Sequence, residues 1–582
     1  MKLRFGFLIS LVFLLLFVTA CKGNEQANND KQEDEKKDED VVVETPVDED
    51  EDEDGETDTE DKELIFPEES TFFSTVYIEE KSTLRTESDG DLWPAAWSDD
   101  DYLYTANGDG KGFNLSSGWG DLVVNRVSGH PNDNNLQGER LASGAIVGLV
   151  WSDPKKYNKK PTGMVSVNGD LYLAVQDLNK EEGAKTFNDV PASTILKSTD
   201  KGQTWEWDRE KPMFDNYVFT TVMFLDYGKD GENNTFDDYV YAYGLDNNWR
   251  DSFSDTVEDP TKLYLARMPK DGIQDVSKWE FYTGDLDGNA QWSEPGKIED
   301  RKPVLQDDRR VYSKIENPGL RDMSVISQGS IVYNKPLNRY IYSSWTEYTF
   351  EFYEAPTPWG PWKRFLSKDF GHYPWSEDKH GGYATVIPSK FISDDGKDMW
   401  VNSQTFMGGI QNYAFSLRKM RVTPYEETTA ENAKGEQNLA VDGQDVTPIS
   451  RTMHFGVEGL INNGNKEENE DSWNNELKEE DYWGYTWSRA YNLNNVVYTT
   501  GNVFFNGGWF TDLRVQVRQN FEWIDVENVS ISPDYPNDET AGVNQTYTLS
   551  FDDTWGDGVR IIGTPGGSTN FTSIAELEVY YK

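Results

Sequence analysis

Short apolar and alternating segments recur along most of the chain. Clear examples lie at residues 170–175, 239–243, 262–266, 339–342 and 399–401. Clusters of glycine, asparagine, aspartate and proline separate them, which is typical of β-strands joined by tight turns. Long segments with the 3.6-residue periodicity of an amphipathic helix are missing from the sequence. This pattern, over about 360 residues, predicts an all-β protein, either a β-propeller or a large β-sandwich.

One internal repeat favours the propeller. Residues 198–205 have the sequence Ser-Thr-Asp-Lys-Gly-Gln-Thr-Trp, a pattern called the Asp box, and residues 367–371 and 393–396 are degenerate copies. The aspartate caps its own turn, and the glycine takes a backbone conformation that other residues resist. The motif belongs to hairpins within blades, so it indicates a fold and not a catalytic site.

The N-terminus has the features of a lipoprotein signal peptide. Basic residues precede an apolar stretch at residues 5–18, which is too short for an ordinary membrane span and is typical of a secretory signal. Small residues then lead to Cys21, the only cysteine, in a pattern that resembles a bacterial lipobox. We therefore expect a signal peptide at residues 1–20 and a lipid on Cys21 that attaches the protein to a membrane, and we expect no internal disulfide.

An acidic segment follows at residues 21–64. It contains an unbroken run of acidic residues at 48–54, and such a chain cannot bury apolar surface, so we expect a disordered tether. The tether places the folded part outside the cytoplasm, and we expect the outer membrane and the cell surface. The formal net charge of −49 argues against nucleic acid as a partner.

The folded part divides into two predicted regions. A propeller is expected at residues 65–425, a polar linker at 426–437 and a β-sandwich at 438–582. The chain has 20 Trp and 30 Tyr, a load that suits stacking on sugar rings and equally suits an all-β core. We expect a monomer with a polysaccharide as its partner.

Residues 74–422 resemble the bacterial family called domain of unknown function 4185. The segments that carry the resemblance are 90–93, 107–110, 265–269, 279–284, 354–362 and 388–396. The resemblance implies a five-bladed propeller similar to those of arabinan- and xylan-cleaving glycoside hydrolases, and some family members are endo-D-arabinanases. It therefore implies a fold and a substrate class. Separately, we expect that the chemistry needs no cofactor.

Residues 438–582 resemble the discoidin or coagulation factor type C (F5/8 type C) modules, which include the family 32 carbohydrate-binding modules. The matching segments are 498–501, 507–510, 513–518, 556–560 and 574–579. The resemblance implies a jelly-roll sandwich and a structural calcium ion with Glu576 as a ligand. Trp509 and Trp487 are candidates for stacking on sugar, and each is equally a candidate core residue.

Glycoside hydrolysis requires two carboxylates on either side of one bond. Asp91 and Asp109 lie in the predicted first blade, near Trp93, and match acidic positions of the family pattern, so we predict that they are the catalytic pair. Turn capping is the alternative for both, because aspartate beside glycine is common in hairpins. We expect Trp93 and Arg250 to bind substrate, with an ion-pair role as the alternative for Arg250.

Further acidic residues are second candidates. Asp177, Asp246, Asp322 and Glu351 are candidates for a third catalytic acid. The oxygen-rich loop at residues 225–237, with Asp226, Asp230, Asn233 and Asp237, is either a calcium site or a solvated loop.

Two other functions remain open. A polysaccharide lyase acting on a uronate-containing, ulvan-type polysaccharide would use His130, Tyr243 and Arg250, or His372. A non-catalytic lipoprotein that captures glycan is the other alternative. The function we predict is a surface-anchored glycoside hydrolase that degrades polysaccharide and carries a C-terminal carbohydrate-binding module.

Overall fold

The computed structural model describes residues 63–582 except 80–82, 181–186, 252–256, 316–320, 347, 371–382, 405–412, 427–431, 433, 442–445 and 457. The predicted signal peptide, Cys21 and nearly all of the tether lie outside the described residues. Within the described part the regular structure consists of β-strands and short 3₁₀ helices, which confirms the all-β prediction. In this part of the chain, no helix is long and apolar enough to cross a membrane.

Residues 73–424 form successive groups of antiparallel strands, which we name blades I to V. The chain enters through β1 (Phe73–Ile78) and β2 (Leu84–Arg85). Blade I contains β3 (Asp89–Asp91), β4 (Ala95–Trp97), β5 (Leu103–Gly112), β6 (Gly120–Ser128) and β7 (Gln137–Ser143). Blade II contains β8 (Tyr157–Val167), β9 (Asp170–Asn179) and β10 (Ser193–Ser198). Blade III contains β11 (Thr221–Asp226), β12 (Tyr239–Leu245), β13 (Lys262–Pro269), β14 (Glu280–Phe281) and β15 (Pro303–Gln306).

A two-stranded ribbon and two further blades follow. The ribbon contains β16 (Arg310–Val311) and β17 (Met323–Ser324). Blade IV contains β18 (Ser330–Asn334), β19 (Arg339–Trp345), β20 (Thr349–Ala355) and β21 (Lys363–Asp369). Blade V contains β22 (Tyr383–Val386), β23 (Asp398–Gln404) and β24 (Ser416–Pro424). Within each blade neighbouring strands are antiparallel. In blade I, β3 and β4 both pair with β5, and in blade III, β14 and β15 both pair with β13. A short parallel pair between β11 and β18 joins blades III and IV in one sheet.

The N-terminal strand completes the last blade. β1 pairs with β24 in antiparallel register, with Tyr77 opposite Arg421, so that blade V has the order β22-β23-β24-β1. Strands from the two ends of the propeller sequence thereby close the ring, which leaves no seam between the first and last blades.

Strand direction defines two faces of the propeller. The first strand of each blade begins, and the second strand ends, at the face that we call the mouth face. The hairpins between first and second strands lie at the opposite, base face. Asp91, Lys160, Gln176 and Gln404 therefore lie toward the mouth face.

Residues 447–580 form a sandwich. Its strands are β25 (Thr447–Ser450), β26 (Glu470–Asp471), β27 (Asp481–Thr499), β28 (Arg514–Gln519), β29 (Glu522–Asp525), β30 (Ser530–Ser532), β31 (Thr546–Gly563), β32 (Ser573–Ile574) and β33 (Glu576–Tyr580). The main sheet has the order β25-β27-β31-β28-β29. Its buried face carries an aromatic and aliphatic core that includes Trp483, Trp487, Tyr498 and Phe510.

Nine 3₁₀ helices occur within the described residues. They span Pro131–Asp133, Gly144–Ile146, Lys229–Gly231, Lys270–Gly272, Val276–Lys278, Ile298–Asp300, Ser389–Phe391, Glu458–Asn462 and Glu539–Ala541.

The sandwich is docked onto blades IV and V. Residues 63–582 form one compact unit. The Ser74 hydroxyl of β1 donates to the Trp487 carbonyl (2.7 Å), and Arg518 donates to the Ser74 carbonyl (2.9 Å). At the other end of the contact, the Asn474 amide donates to Asp369 (3.0 Å). Arg518 is held in turn by Asp557 at 2.8 Å, so an ion pair of the sandwich supports the docking contact.

This contact generates a stability prediction. Arg518→Met removes one partner of a largely buried ion pair, so we expect a loss of about 3–5 kcal/mol in the free energy of unfolding. A lower midpoint of urea unfolding would measure it. The matched control is Arg514→Met on the same strand, because Arg514 is 38% exposed and its loss is expected to cost less than about 1 kcal/mol. Equal effects of the two substitutions would contradict the prediction.

Candidate functional site

The first predicted catalytic carboxylate, Asp91, lies at the mouth face on the first strand of blade I. Asp91 ends β3 and is paired with Gly108 of β5. Its side chain is nearly buried, and the Tyr413 hydroxyl donates to its Oδ2. The following amide, of Leu92, donates to Gln404 Oε1 of blade V (3.1 Å). Contacts from blade V therefore hold Asp91 in a fixed position beside the axis.

The second predicted carboxylate lies beside the same strand pair. Asp109 has a left-handed backbone (φ 38°), and its Oδ1 forms an ion pair with Lys160 Nζ of β8. The Lys160 side chain is only 2% exposed, whereas that of Asp109 is 25% exposed. Burying an ammonium group is costly unless an anion compensates it, so the pair joins blades I and II at the mouth.

Gly108 marks the point at which these groups converge. A Cβ atom added to Gly108 would overlap Asp91 Oδ1 and would lie 3.1 Å from Lys160 Cδ. The carboxylate of Asp91 and the stem of Lys160 therefore occupy the space that a side chain would fill. The structure brings together the two predicted acids and a lysine that the sequence analysis missed.

The same face presents amide side chains from other blades. Gln176 accepts a hydrogen bond from the Thr221 hydroxyl (2.7 Å), and Gln328 donates to the Pro161 carbonyl (3.1 Å). Among the described residues, Gln176 Nε2 and Gln328 Oε1 are buried and have no hydrogen-bond partner. Gln176 Nε2 is a donor and Gln328 Oε1 is an acceptor. A sugar hydroxyl can both accept and donate a hydrogen bond, so sugar hydroxyls could satisfy both groups.

Arg250 lies just after β12 at the mouth face. Its guanidinium carbon lies 4.7 Å from the Trp249 ring centroid and 5.7 Å from that of Trp345. The side chain is nearly buried, so two aromatic faces hold the cation beside the axis. This location matches the prediction that Arg250 faces substrate, which stays a prediction.

Two more acids occupy the mouth face. Asp89, which the sequence analysis did not single out, accepts from the Lys111 amide (3.1 Å), and burial raises its pKa. The Asp-Gly-Asp sequence at 89–91 was the signal that could have identified it. Asp177 accepts from the Trp151 (3.0 Å) and Ser152 (2.7 Å) amides, and burial raises its pKa to about 6.

The remaining second candidates for a catalytic acid are held by arginines. Arg301 lies 2.5 Å from Asp246, Arg310 lies 2.9 Å from Asp322, and Arg309 lies 3.1 Å from Glu351. Glu351 is fully buried on β20, the third strand of its blade, and burial raises its pKa. These contacts give all three acids roles in structural ion pairs.

The residues of the lyase alternative are dispersed. His130 lies in the turn after β6, at the base face, where its ring packs edge-on against Phe391. Tyr243 is fully buried, and its hydroxyl donates to the Pro358 carbonyl (2.6 Å). These positions correct the expectation that His130 and Tyr243 act together with Arg250. His372 lies outside the described residues.

The predicted sugar-stacking tryptophans are core residues. Trp93 is fully buried between Phe113 and Phe415, and its indole NH donates to the Gly90 carbonyl (2.8 Å). Trp509 and Trp487 are buried in the sandwich core. The expectation that Trp93 and Trp509 stack on sugar is therefore corrected, because their rings are covered by other side chains.

Exposed aromatic rings occur instead on loops of the sandwich. Phe505 is 92% exposed, and Phe504 next to it is half exposed. On a second loop, Phe455 is half exposed and stacks on His454 at 4.5 Å between ring centroids. These residues were missed because nothing in the local pattern separates an exposed aromatic residue from a buried one.

The oxygen-rich loop after β11 is used for hydrogen bonding. Asp226 accepts from the Ser389 amide (3.0 Å) and hydroxyl (2.8 Å), and burial raises its pKa to about 6. Asp230 accepts from the Ser166 hydroxyl (2.7 Å). Within the described part of the chain, no group of three or more His, Cys, Asp or Glu residues could hold a metal ion. The acids of this loop therefore join blades II, III and V at the base face.

Glu576 lies on β33 beside a turn of the sandwich. Both of its carboxylate oxygens accept from the Gly464 amide at 3.2 Å, and burial raises its pKa to about 7. On the same turn, Asn462 Oδ1 is buried without a hydrogen-bond partner in the described structure. A desolvated carboxylate and an orphaned carbonyl oxygen fit a hard cation such as calcium.

A family comparison matches part of the propeller. Residues 90–368 match the model of the domain-of-unknown-function family DUF4185. This range includes Asp91, Asp109, Lys160 and Arg250. A comparison with curated proteins found no match.

Comparisons with solved structures give distant likenesses. A Bacteroides ovatus protein, assigned provisionally as a hydrolase, is 14% identical, with a TM-score of 0.37 over 62% of this chain and 93% of its own. The Clostridium perfringens module CpGH89CBM32-5, solved with GalNAc-β-1,3-galactose, is 16% identical, with a TM-score of 0.20 over 23% of this chain and 95% of its own. The family 32 module of Clostridium perfringens NanJ, solved with galactose, is 18% identical, with a TM-score of 0.19 over 23% and 93%. Scores this low transfer no activity to the chain.

The convergence at Gly108 generates a prediction for activity. In Gly108→Ala the new methyl group overlaps the Asp91 carboxylate and displaces it, so any catalytic activity that uses Asp91 should lose about 100-fold in kcat. The control is Gly118→Ala in the same blade, because a Cβ there meets nothing within 4 Å. Full activity of Gly108→Ala, in a protein with unchanged thermal unfolding, would contradict the proposed geometry.

Glu576 generates a prediction for pH. Its folded-state pKa is raised above the usual value of 4.5, so ionisation opposes folding, and stability falls as pH rises from about 4.5 to about 7 in calcium-free buffer. Calcium should offset that loss by binding the ionised form. Thermal unfolding across this pH range, with and without calcium, measures both effects. Glu576→Gln should reduce the difference between the unfolding curves measured with and without calcium. An unchanged difference would show that Glu576 does not bind calcium.

Proposed function

We propose that the protein is a glycoside hydrolase that cleaves polysaccharide at the mouth of the propeller. The observation that carries this proposal is the convergence of Asp91, Asp109 and Lys160 around Gly108. Two carboxylates beside one cleavage point are what glycoside hydrolysis requires. All three residues lie within the range that matches DUF4185.

The different surroundings of the two acids suggest different roles. The Lys160 ammonium compensates the negative charge of Asp109, so we assign Asp109 as the base or nucleophile. Asp91 is more deeply buried than Asp109, so we assign it as the acid that protonates the leaving oxygen. Environments that separate two carboxylates in this way are how one site obtains both an acid and a base.

The rest of the mouth supplies substrate binding. Gln176 and Gln328 offer an unpartnered donor and acceptor for sugar hydroxyls, among the described residues. Arg250, held between two tryptophan rings, offers a cation to a hydroxyl or carboxylate of the chain being cut. These side chains would position a sugar ring against the two acids.

The sandwich is proposed to bind the same polysaccharide. Phe505, with its exposed ring, replaces Trp509 as the candidate for stacking, with His454 and Phe455 on the other loop. Binding of one polymer by both regions raises the local substrate concentration at the mouth. Calcium, when bound, would be held by Glu576 and Asn462 and would stabilise the turn that carries them.

The N-terminal features complete the proposal. A lipid on Cys21 would attach the protein to a bacterial membrane, and the acidic segment would hold the enzyme away from it on the cell surface. The basis is the sequence pattern of residues 1–64 alone.

The direct test uses the described part of the chain, residues 63–582, which form one compact unit. We would incubate it with a panel of neutral and uronate-containing polysaccharides, including arabinans and an ulvan-type uronate, and measure new reducing ends and the absorbance of unsaturated uronates. We expect reducing ends without that absorbance, and a loss of about 10²–10⁴-fold in Asp91→Asn and in Asp109→Asn. Asp133→Asn, an exposed acid at the base face, is the control and should retain activity.

Two outcomes would contradict hydrolysis. Reducing ends that appear together with the unsaturated-uronate absorbance would establish a lyase. Binding of a polysaccharide with no product from any substrate would establish a capture protein.

A further inference from the structure

An exposed tryptophan lies at the mouth face in blade I. β5 runs toward the mouth face and β6 runs away from it, so the loop that joins them, residues 113–119, lies at the mouth. Trp119 ends this loop, and its side chain is 57% exposed. The indole is therefore accessible to a ligand that enters the mouth.

The register of β5 and β6 places Trp119 close to the proposed base or nucleophile, Asp109. Gly120, the residue after Trp119, lies opposite Gly110, the residue after Asp109. Neighbouring strands lie about 4.8 Å apart and rise about 3.4 Å per residue, so the Cα atoms of Trp119 and Asp109 are about 8 Å apart. A sugar ring that packs on Trp119 would therefore lie beside the proposed cleavage point.

Arg140 of β7 fixes the loop that carries Trp119. Its Nη1 donates to the Lys111 carbonyl (3.0 Å) on one side of the loop and to the Gly118 carbonyl (2.7 Å) on the other. The two hydrogen bonds join the ends of the loop through one guanidinium group. The loop therefore needs little reordering when it binds a ligand, which lowers the entropic cost of binding.

A second loop at the mouth face, residues 144–148, is fixed in a similar way. It follows β7 and begins with the 3₁₀ helix Gly144–Ile146. The nearly buried Lys159 ammonium donates to three carbonyls of this loop, at 2.6, 2.6 and 3.0 Å. An ammonium group has three hydrogens to donate, so these contacts use all of them. Ile146 is left half exposed on the fixed loop.

The two loops are neighbours at the rim of the mouth. Ser143, which precedes the second loop, lies beside Gly120, which follows the first, because a Cβ added to Gly120 would be 3.8 Å from Ser143 Cβ. Trp119 and Ile146 therefore lie along the same stretch of the rim. An indole and an aliphatic side chain are surfaces on which the apolar faces of sugar rings pack.

The size and charge of this rim favour a sugar over a protein or a membrane. The exposed large apolar side chains of the two loops are Leu115, Trp119 and Ile146. Three side chains fall short of the roughly 800 Å² that each partner buries in a stable protein interface. The formal net charge of −49 opposes binding to an anionic lipid surface. A single sugar ring is an occupant of the right size.

We propose that Trp119 and Ile146 form a sugar-binding subsite at the rim of the mouth, in which the indole stacks on a sugar ring beside the cleavage point. This inference rests on the proposed function, because the ring belongs to the polysaccharide that Asp91 and Asp109 would cleave. Arg140 is a positioning residue that holds the loop of Trp119. The subsite binds the chain equally before and during cleavage, so it lowers KM and favours long chains over short ones.

Binding is tested without cleavage. The parent protein would carry Asp91→Asn, which blocks cleavage, and Phe505→Ala, which removes the proposed stacking ring of the sandwich. Calorimetry would measure its affinity for hexasaccharides of arabinan, xylan, galactan and polygalacturonate. We expect at least one probe to bind, and we expect Trp119→Ala to weaken that binding about tenfold. Trp119→Phe, which keeps an aromatic ring, should retain most of the affinity. The loss in Trp119→Ala should be the same at low and high salt, because stacking is not screened by ions.

A matched variant and a second measurement complete the test. Phe236→Ala removes an exposed ring at the base face, and it should bind as the parent does. The proposal is overturned if no probe binds, if Trp119→Ala binds every probe as tightly as the parent, or if Phe236→Ala weakens binding equally. A Trp119→Ala protein that changes its elution volume in size-exclusion chromatography and keeps its sugar affinity would overturn the proposal in favour of a contact between copies of the chain.

Kinetics separate this proposal from the proposed function. In the otherwise unmodified enzyme, Trp119→Ala should raise KM on the polysaccharide about tenfold and leave kcat unchanged, which is the signature of lost uniform binding. An equal fall in kcat would overturn the assignment as a binding subsite. Failure of cleavage by the unmodified enzyme would overturn the proposed function and leave the calorimetric result in place.

Discussion

The pairing of β1 with β24 is the interaction on which the rest of the fold depends. It closes the ring of blades with a strand from the N-terminal end of the propeller, and the chain continues from there through β2 to β3. Closing the ring places blade V beside blade I, where Asp91 ends β3. Gln404 of blade V accepts from the Leu92 amide, and the Tyr413 hydroxyl donates to Asp91. A break in the closing pair would separate the first and last blades at the point where the proposed acid lies. The β1–β24 pairing thus stabilises both the fold and the position of Asp91.

The fold class was predictable because its signals are local. Alternation of apolar residues and glycine-rich turns depend on neighbours in sequence, and the Asp box behaves as the pattern indicates. Asp200 accepts from the Thr204 amide and hydroxyl at 2.9 and 2.6 Å, and Trp205 is buried. The positions of Asp91 and Asp109 toward the mouth face followed from the same local pattern of strand, turn and strand.

The surroundings of single side chains were not predictable, because their partners are far away in sequence. Trp93 is covered by Phe415, Asp246 is neutralised by Arg301, and Lys160 reaches Asp109 from the next blade. Each of these contacts depends on how blades pack, and the sequence around one partner contains no trace of the other. An exposed phenylalanine such as Phe505 is likewise indistinguishable in sequence from a core residue. Composition suggested sugar-binding aromatic residues, and the placement of this role on Trp93 and Trp509 was wrong because both rings are buried.

The closing strand has a mechanical consequence for a protein anchored by its N-terminus. In the proposed surface enzyme, any pull between the membrane and a bound polymer passes through the tether into β1, the first long strand that it reaches. The β1–β24 ladder then carries this load along the strand direction, so that several hydrogen bonds resist it together and not one after another. The docking contacts of Ser74 with Trp487 and Arg518 add resistance at the same strand. Tension from the tether first meets the ion pairs of Glu68 with Lys363 and of Glu69 with Arg364 on blade IV. It then reaches the strand that closes the ring, and the fold is reinforced there from both of its regions.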